Sequence, residues 1–234
     1  MESNTDEAAG RRLLAPLYAY PGTEPGPWAE AVANAGSLAG LILNPDSGPG
    51  AAAEPEFVAA AGRLRAAGVP LLGYVDTAYG RRHHREVVAD IERHRDWYDV
   101  DGVFLDQAGS GADLLPHYRR LAVAARSLDA SRVVLNPGVH PHPGFAETAD
   151  LLITFEGSWE QYQQLRPPQW TGAFPARRFG HLVHGTPADR CAAVPELARL
   201  RHAEVSYATP GTGANPWGVP MPQLRCASQT GERC

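Results

Sequence analysis

Short apolar runs alternate with stretches of helical periodicity along this chain, and the alternation is typical of β–α–β units that build a parallel sheet. Several of the runs are apolar at nearly every position, as expected for strands that are buried on both faces. Eight candidate strands follow one another: Leu13–Tyr20, Leu38–Asn44, Leu71–Asp76, Gly102–Asp106, Arg132–Asn136, Leu151–Glu156, Phe179–His184 and Glu204–Thr209.

The segments between the strands differ in how clearly they predict helices. Where apolar residues recur at spacings of three and four, the pattern predicts an amphipathic helix. The connections after the first, fifth and sixth strands carry weaker patterns and predict short or irregular helices. Trp28 and Trp97 lie in helical stretches, which favours packing roles for both. The clear helices are Glu54–Ala67, Arg85–Tyr98, Asp113–Leu128 and Asp189–Leu200.

Eight strands in regular alternation with helices predict one α/β domain, a single (β/α)8 TIM barrel, over residues 11–218. An open doubly wound sheet is the alternative architecture. Residues 1–10 are polar and acidic and predict a flexible N-terminal tail, and residues 219–234 predict a C-terminal tail. The Pro- and Gly-rich stretch that begins at Pro210 either packs over the barrel mouth or runs free.

The composition of the chain bears on its binding partners and on the catalytic residues that it can use. The net charge of -5 gives no indication of nucleic acid or an anionic membrane as a partner, since both need clustered positive charge. All 21 basic residues are arginine, which excludes Schiff-base and P-loop lysines. The three cysteines, Cys191, Cys226 and Cys234, form no C-x-x-C motif and predict no disulfide framework. No stretch predicts a secretion signal or a membrane span, so we expect a cytoplasmic protein.

Polar residues end most of the predicted strands, and this is where barrel enzymes carry their catalytic groups. Carboxylates paired across a cleft can divide into an acid and a base or nucleophile. Amides bind hydroxyl groups in both directions, and aromatic faces suit the apolar faces of sugar rings. The candidate residues at these ends and in the loops beyond them are Tyr18, Tyr20, Asn44, Asp76, Tyr79, Asp106, Gln107, Asn136, Glu156, His184, Tyr207 and Trp217.

Each of these residue types also has a structural role that the sequence leaves open. An aspartate after a strand can cap the next segment, an asparagine before proline can serve a turn, and a tyrosine can pack in a core. These alternatives apply to Asp76, Asp106, Asn44, Asn136, Tyr18 and Tyr20.

Histidines give a weak indication of a metal site. The adjacent or closely spaced pairs are His83 with His84 and His140 with His142. His181 and His184 are three positions apart, so on a strand they point to opposite faces. The sequence contains no H-E-x-x-H motif, dinucleotide fingerprint or phosphate loop. We therefore expect neither a metal nor an organic cofactor.

Five motifs carry a resemblance to a known family. In chain order they are LILNPDSGPG (Leu41–Gly50), LLGYVDTAYGRR (Leu71–Arg82), WYDVDGVFLDQ (Trp97–Gln107), VLNPG (Val134–Gly138) and ITFEGS (Ile153–Ser158). Together they resemble the spherulation-specific family 4 (spherulin 4-like) glycoside hydrolases over roughly Leu13 to Trp217. The resemblance implies a (β/α)8 glycoside hydrolase that acts on α-linked, galactosamine-containing polysaccharides. It implies cleavage at internal bonds of the polysaccharide.

The same resemblance implies an acidic centre. The family carries a pair of carboxylates at the end of the fourth strand and a glutamate at the end of the sixth, and Asp106 and Glu156 match the first and the last. Gln107 stands where the family usually has glutamate, and glutamine cannot ionise. The residues expected to bind substrate are Tyr18, Tyr20, Asn44, Asp76, Tyr79, Gln107, Asn136, His184, Tyr207 and Trp217.

The leading hypothesis is hydrolysis of a glycosidic bond between the facing carboxylates of Asp106 and Glu156, with Asp106 as nucleophile and Glu156 as acid and base. Two alternatives stay open because of Gln107. One is a family member adapted to another reaction on a small metabolite, and the other is a non-catalytic carbohydrate-binding protein. The expected partner is a carbohydrate or small molecule, and the oligomeric state is left open.

Overall fold

The computed structural model describes residues 12–218, which form a closed barrel of eight parallel strands in sequential order. Leu13 aligns with Ser206, which closes the last strand onto the first. This confirms the predicted (β/α)8 barrel and excludes the alternative of an open doubly wound sheet. The predicted tails, Cys226 and Cys234 lie outside the described residues. The strands are β1 (Leu13–Leu17), β2 (Leu38–Leu43), β3 (Leu71–Asp76), β4 (Gly102–Asp106), β5 (Arg132–Leu135), β6 (Leu151–Ser158), β7 (Phe179–His184) and β8 (Val205–Ala208).

Six α-helices surround the described barrel, and two of them begin later than the sequence pattern predicts. The helices predicted from Asp113 and Asp189 begin at Leu115 and Val194, each after a short 3-10 turn. Proline lacks an N–H group and clashes inside a helix, so each helix begins where its proline falls in the first turn. The helices are α1 (Pro25–Ala33), α2 (Pro55–Ala66), α3 (His84–Tyr98), α4 (Leu115–Ser127), α5 (Trp159–Gln164) and α6 (Val194–Leu200).

The three connections whose sequences predict short or irregular helices are irregular only in part. A regular nine-residue helix, α1, follows β1, whereas β5 is followed by the 3-10 segment Pro143–Glu147 and β6 by the short α5. Trp28 is buried in α1 as expected, and Trp97 is partly buried on α3. None of the helices between residues 12 and 218 has the length and apolar character that a bilayer span requires.

The lower part of the barrel is filled by large apolar side chains that lie beside glycines. A side chain on Gly40 would contact Leu14 and Leu72, and one on Gly180 would contact Ile153 at 2.8 Å. At the N-terminal end of the barrel, the Arg132 guanidinium donates to the Ala39 carbonyl on the opposite side, at 2.6 Å. The lower half of the barrel is therefore packed, and open space is left at the C-terminal ends of the strands.

Glycine is also required on the outer face of β3. The imidazole of His94, on α3, is buried directly against Gly73, and an added Cβ would lie 2.4 Å from its Cγ. The His94 Nε2 atom lies 2.7 Å from the Tyr74 carbonyl, which fixes the ring in this position. The absence of a side chain at Gly73 therefore allows α3 to pack closely against β3.

We expect Gly73→Ala to lower the free energy of unfolding by about 1–3 kcal/mol, because the methyl group overpacks a buried contact. Gly62→Ala is the matched control, since this glycine is exposed within α2 and an added Cβ meets nothing within 4 Å. It should raise the free energy by about 0.5–1 kcal/mol. Urea denaturation measures both, and equal effects of the two substitutions would contradict this packing account.

Candidate active site

A cavity of about 690 Å³ opens at the C-terminal ends of the strands. A larger cavity of about 890 Å³ lies between α1 and α2, outside the barrel, and contains none of the candidate residues. In a barrel of this type the ends of several strands converge on one site. Seven of the predicted site residues line the cavity at the strand ends: Tyr18, Asn44, Asp106, Asn136, Glu156, His184 and Trp217.

One amide joins the two predicted catalytic carboxylates. Asn136 follows directly after β5, and its Nδ2 atom donates to Asp106 Oδ1 at 2.6 Å and also to Glu156 Oε2. Its Oδ1 atom accepts the backbone N–H of Gly138. Two hydrogen bonds of this length that diverge from one NH₂ group place their acceptor oxygens roughly 4–5 Å apart. The Asn136 side chain is fully engaged, so it positions the acids and has no free amide hydrogen for substrate.

Asp106 lies at the end of β4 and is held by donors on three sides. The Tyr74 hydroxyl donates to Asp106 Oδ2 at 2.7 Å, Asn136 donates to Oδ1, and the backbone N–H of Gln107 also bonds this carboxylate. Burial raises the pKa of Asp106, while all three donors act in the opposite direction because they stabilise the charged form. These contacts favour Asp106 as the ionised member of the pair.

Glu156 has a different environment. Burial, followed by the negative charge of Asp106, raises its pKa to about 7 from an ordinary value of 4.5. Hydrogen bonds from Asn136 and Trp217 oppose the change only in part. Two carboxylates whose surroundings separate their protonation in this way can act as an acid and a base at neutral pH.

A β-bulge decides which way Glu156 points. In β6, Ile153 pairs with Gly180 and Phe155 pairs with His181, so one extra residue stands between them. Leu152 belongs to an apolar cluster outside the barrel, and strict alternation would place Glu156 on the same outer face. The bulge shifts the alternation, so that Phe155 packs outward on Tyr162 while Glu156 lines the cavity.

The loops after β3 and β4 are locked together beside the acids. The buried Thr77 hydroxyl lies within 2.9 Å of the carbonyl oxygens of Asp106 and Gln107, and it also contacts the Tyr118 hydroxyl. The Tyr79 N–H donates to the Gln107 carbonyl at 2.7 Å. Tyr79 and Gln107 both have left-handed backbones, with φ of 57° and 46°. Strain of this kind persists only where surrounding contacts enforce it, and it is common at ligand sites.

A smaller cavity of about 340 Å³ adjoins the first. Asp106, Asn136, Glu156 and His184 line both cavities. The predicted residues Tyr79 and Gln107 line only the smaller one, together with Pro137, Gly138 and Val139. The carboxylates therefore lie between two adjoining cavities.

Three predicted substrate-binding residues line neither cavity. Asp76 accepts the N–H of Ala78 at 2.6 Å, so it caps the turn after β3, the structural role that the sequence had left open. The exposed Tyr20 hydroxyl donates to Glu54 on the outer rim. Tyr207 is fully buried, because its strand position points it into the packed barrel beneath Trp217.

Sequence reasoning missed Tyr74, which contacts Asp106 directly. It also missed Asp46 and Asn215, which line the 690 Å³ cavity at the strand ends from the loops after β2 and β8. Tyr74 lies inside β3 rather than at its end, so a search of strand ends passes over it. The available signal was its position two residues before Asp76, which gives both side chains the same face of the strand.

The histidines do not converge. His181 is buried outside the barrel against Tyr162, whereas His184 lines both cavities, so the two point to opposite faces as predicted. His142 Nδ1 accepts a backbone N–H from Gly144. Within residues 12–218, no group of three or more His, Cys, Asp or Glu side chains is arranged to hold a metal ion. Cys191 is buried in an apolar cluster with Val183 and Val194.

The high pKa of Glu156 has a consequence for stability. The unfolded chain ionises this carboxyl near pH 4.5 and the folded protein near pH 7, so folded stability is lost as pH rises through that window. We expect Glu156→Gln, which cannot ionise, to be more stable than wild type at pH 8 by a few kcal/mol, and equally stable at pH 4. Thermal and denaturant unfolding at the two pH values measure this difference.

The control for this prediction is Glu92→Gln, at an exposed position on α3. It should show no comparable gain that appears only at high pH. A Glu156→Gln protein whose stability tracked wild type at both pH values would contradict the account of a buried, repelled carboxyl.

The comparisons with known proteins agree with the fold and with the motifs. The family model Spherulin4, "Spherulation-specific family 4", matches residues 12–219. Spherulin-4 of Physarum polycephalum is 35% identical over 151 residues, which are 62% of this chain and 44% of that protein. The matched region therefore spans less than half of that relative.

Solved structures with the same fold include Sph3 of Aspergillus clavatus in complex with GalNAc. Its TM-score is 0.78 at 24% identity, over 92% of this chain and 94% of Sph3. A chitinase from Chromobacterium violaceum gives a TM-score of 0.60 at 10% identity, over 96% of this chain and 100% of the chitinase chain. These likenesses bear on the fold, whereas the family model matches nearly the whole described chain and confirms the resemblance seen in the motifs. The chain belongs to spherulation-specific family 4.

Proposed function

We propose that this protein is a glycoside hydrolase that cleaves an α-linked polysaccharide containing amino sugars. The observation that carries the proposal is the pair formed by Asp106 and Glu156, joined by the Asn136 amide in the floor of an open cavity. Membership of spherulation-specific family 4 supports it, as does the GalNAc bound to the structurally similar Sph3. The motifs that resemble the family point to the same substrate class.

The two acids have separate roles in this mechanism. Glu156, with a pKa of about 7, is protonated over much of the neutral range and donates its proton to the leaving oxygen. Asp106, whose charged form is stabilised by Tyr74, Asn136 and the Gln107 N–H, attacks the anomeric carbon. After the leaving group departs, Glu156 accepts a proton from the water that hydrolyses the glycosyl–enzyme bond.

The spacing of the acids supports retention of anomeric configuration. Retaining glycosidases place their two carboxyl groups about 5–5.5 Å apart, whereas inverting enzymes need roughly 6.5–9.5 Å to admit a water molecule. The shared donor Asn136 holds the two carboxylate oxygens that it bonds roughly 4–5 Å apart, well short of the inverting range. We therefore assign the reaction to the two-step, retaining class.

Other cavity residues act on substrate or on the acids. Burial raises the pKa of the Tyr18 hydroxyl well above its ordinary value, so this group remains a hydrogen-bond donor at any working pH. Tyr18 contacts Asn44, whose Oδ1 is held by the Gly48 N–H. The rings of His184 and Trp217 meet edge to face and line the same cavity. Tyr74 and Asn136 position the acids.

Gln107 supports a second candidate function, a carbohydrate-binding protein without hydrolytic activity. In the related motif this position is usually glutamate, and glutamine can bind a sugar hydroxyl but cannot transfer a proton. Gln107 lines the smaller cavity, and it contributes its backbone N–H, not its side chain, to the hydrogen bonds around Asp106. Because both acids of the proposed mechanism are present without it, hydrolysis is the better-supported function.

We expect Glu156→Gln and Asp106→Asn each to reduce kcat on an α-linked N-acetylgalactosamine polymer by about 10²–10⁴-fold. Wild-type kcat/KM should follow a bell-shaped pH profile, because Asp106 must be ionised and Glu156 protonated. The alkaline limb should fall near pH 7, where the Glu156 proton is lost. Initial-rate kinetics measure these quantities, and proton NMR of the first-formed product reports retention. Wild-type turnover by Glu156→Gln would rule out its assigned role.

The choice between hydrolase and binding protein is tested by assaying wild type and Gln107→Glu side by side on the same polymer. We expect wild type to cleave it, because the two acids that react are already in place. Activity that appears only in Gln107→Glu, with the sugar still bound by wild type, would select the binding protein instead.

A further inference from the structure

The boundary between the two cavities runs through the catalytic residues. Asp106, Asn136, Glu156 and His184 line both spaces, the larger of about 690 Å³ and the smaller of about 340 Å³. Pockets for small ligands and cofactors have volumes of about 300–1,000 Å³, so each space is large enough to hold a bound group. A sugar chain that lies in the larger cavity, with its cleaved bond at the two acids, therefore has room to continue into the smaller cavity.

The smaller cavity presents a rigid aromatic surface. Tyr79 is 51% exposed, which is unusual for a large aromatic residue. The Arg81 guanidinium lies over its ring, 5.7 Å from the ring centroid. Val139, 54% exposed, forms another apolar part of the lining. An exposed ring that is held in place suits the apolar face of a sugar, because little side-chain freedom is lost when it stacks.

Hydrogen bonds to neighbouring segments fix the backbone around Tyr79. Ala78, Tyr79 and Gly80 have successive φ values of 46°, 57° and 81°. The Asp76 carboxylate accepts the N–H of Ala78, and the Gln107 carbonyl accepts that of Tyr79. The strained turn therefore aims the Tyr79 ring at the smaller cavity and ties it to the loop that carries Gln107.

The lining of the smaller cavity also indicates what it binds. Apart from the shared acids and His184, its described lining carries no ionisable group except the Tyr79 phenol. Gln107 offers an amide that can both donate to and accept from a hydroxyl or acetamido group. This combination of aromatic face, apolar side chain and neutral amide suits an uncharged pyranose ring.

We propose that the smaller cavity is a second sugar subsite, in which Tyr79 stacks on a neutral hexopyranose and Gln107 bonds its hydroxyl or acetamido group. It lies across the cleaved bond from the sugar in the larger cavity. The inference rests on the proposed function, because it takes the acids as the point of cleavage. It gives Gln107 a binding role that needs no ionisation.

Binding to a protein that cannot turn over separates this inference from catalysis. In a Glu156→Gln background, calorimetry compares an α-linked N-acetylgalactosamine tetrasaccharide, which can fill both cavities, with N-acetylgalactosamine, which fills one. We expect added Tyr79→Ala to weaken tetrasaccharide binding about tenfold and to leave monosaccharide binding within about twofold, because the single sugar occupies the larger cavity. Tyr79→Phe, which keeps the ring, should restore most of the tetrasaccharide affinity.

Tyr20→Ala is the matched control, because it removes another exposed tyrosine ring that lines neither cavity. It should leave tetrasaccharide affinity unchanged, and equal melting temperatures would show that each variant is folded. Undiminished tetrasaccharide binding by Tyr79→Ala overturns the subsite, as does an equal loss for both sugars. Failure of the Glu156→Gln protein to bind either sugar overturns the proposed function itself.

Discussion

The site depends on the amide of Asn136, which donates one hydrogen to Asp106 and the other to Glu156. Two ionised carboxylates roughly 5 Å apart repel each other by roughly 3 kcal/mol at an effective dielectric of 20. A shared donor holds them together in spite of this repulsion, and charge-assisted hydrogen bonds are the stronger class. Repulsion then adds to burial, so the pKa of Glu156 rises to about 7 while Asp106 keeps more donors. The Asn136 side chain thus sets the spacing of the acids, whereas the additional donors to Asp106 favour ionisation of that member of the pair.

Asn136 can bridge the acids because β4, β5 and β6 are neighbouring strands, and β6 runs on to Ser158, past the level at which β4 and β5 end. Parallel pairing aligns β4, β5 and β6 in register, and Asp106 and Asn136 follow from the ends of β4 and β5. Glu156 joins them through the bulge in β6, which turns it inward after Phe155 has packed outside. Bulges are common beside active sites because they redirect a side chain without disturbing the rest of the strand. The closed barrel supplies the frame, and this irregularity completes the site.

Rigid loops extend the site beyond the acids. Thr77 and Tyr118 form a buried hydroxyl contact that ties the loops after β3 and β4 to α4. Left-handed residues such as Tyr79 and Gln107 cost of order 1–3 kcal/mol each, so they persist because these contacts enforce them. A fold does not by itself imply a function, and related barrels carry many chemistries. In this chain it is the placement of particular side chains by these loops and strands that argues for chemistry on a sugar.

The sequence by itself determined the eight strands, most of the helices and the location of Asp106 and Glu156 at strand ends, because apolar periodicity and strand termination are local properties. Its motifs also identified the family. The roles of neighbouring residues were decided only in three dimensions. Asp76 turned out to cap a turn, Tyr207 to fill the core, and Tyr74 to hold Asp106. Each outcome depends on which partner a distant segment brings within about 3 Å, and a strand's alternation can be shifted by one inserted residue. Local pattern fixes where a side chain lies along the chain, whereas tertiary packing decides what it touches.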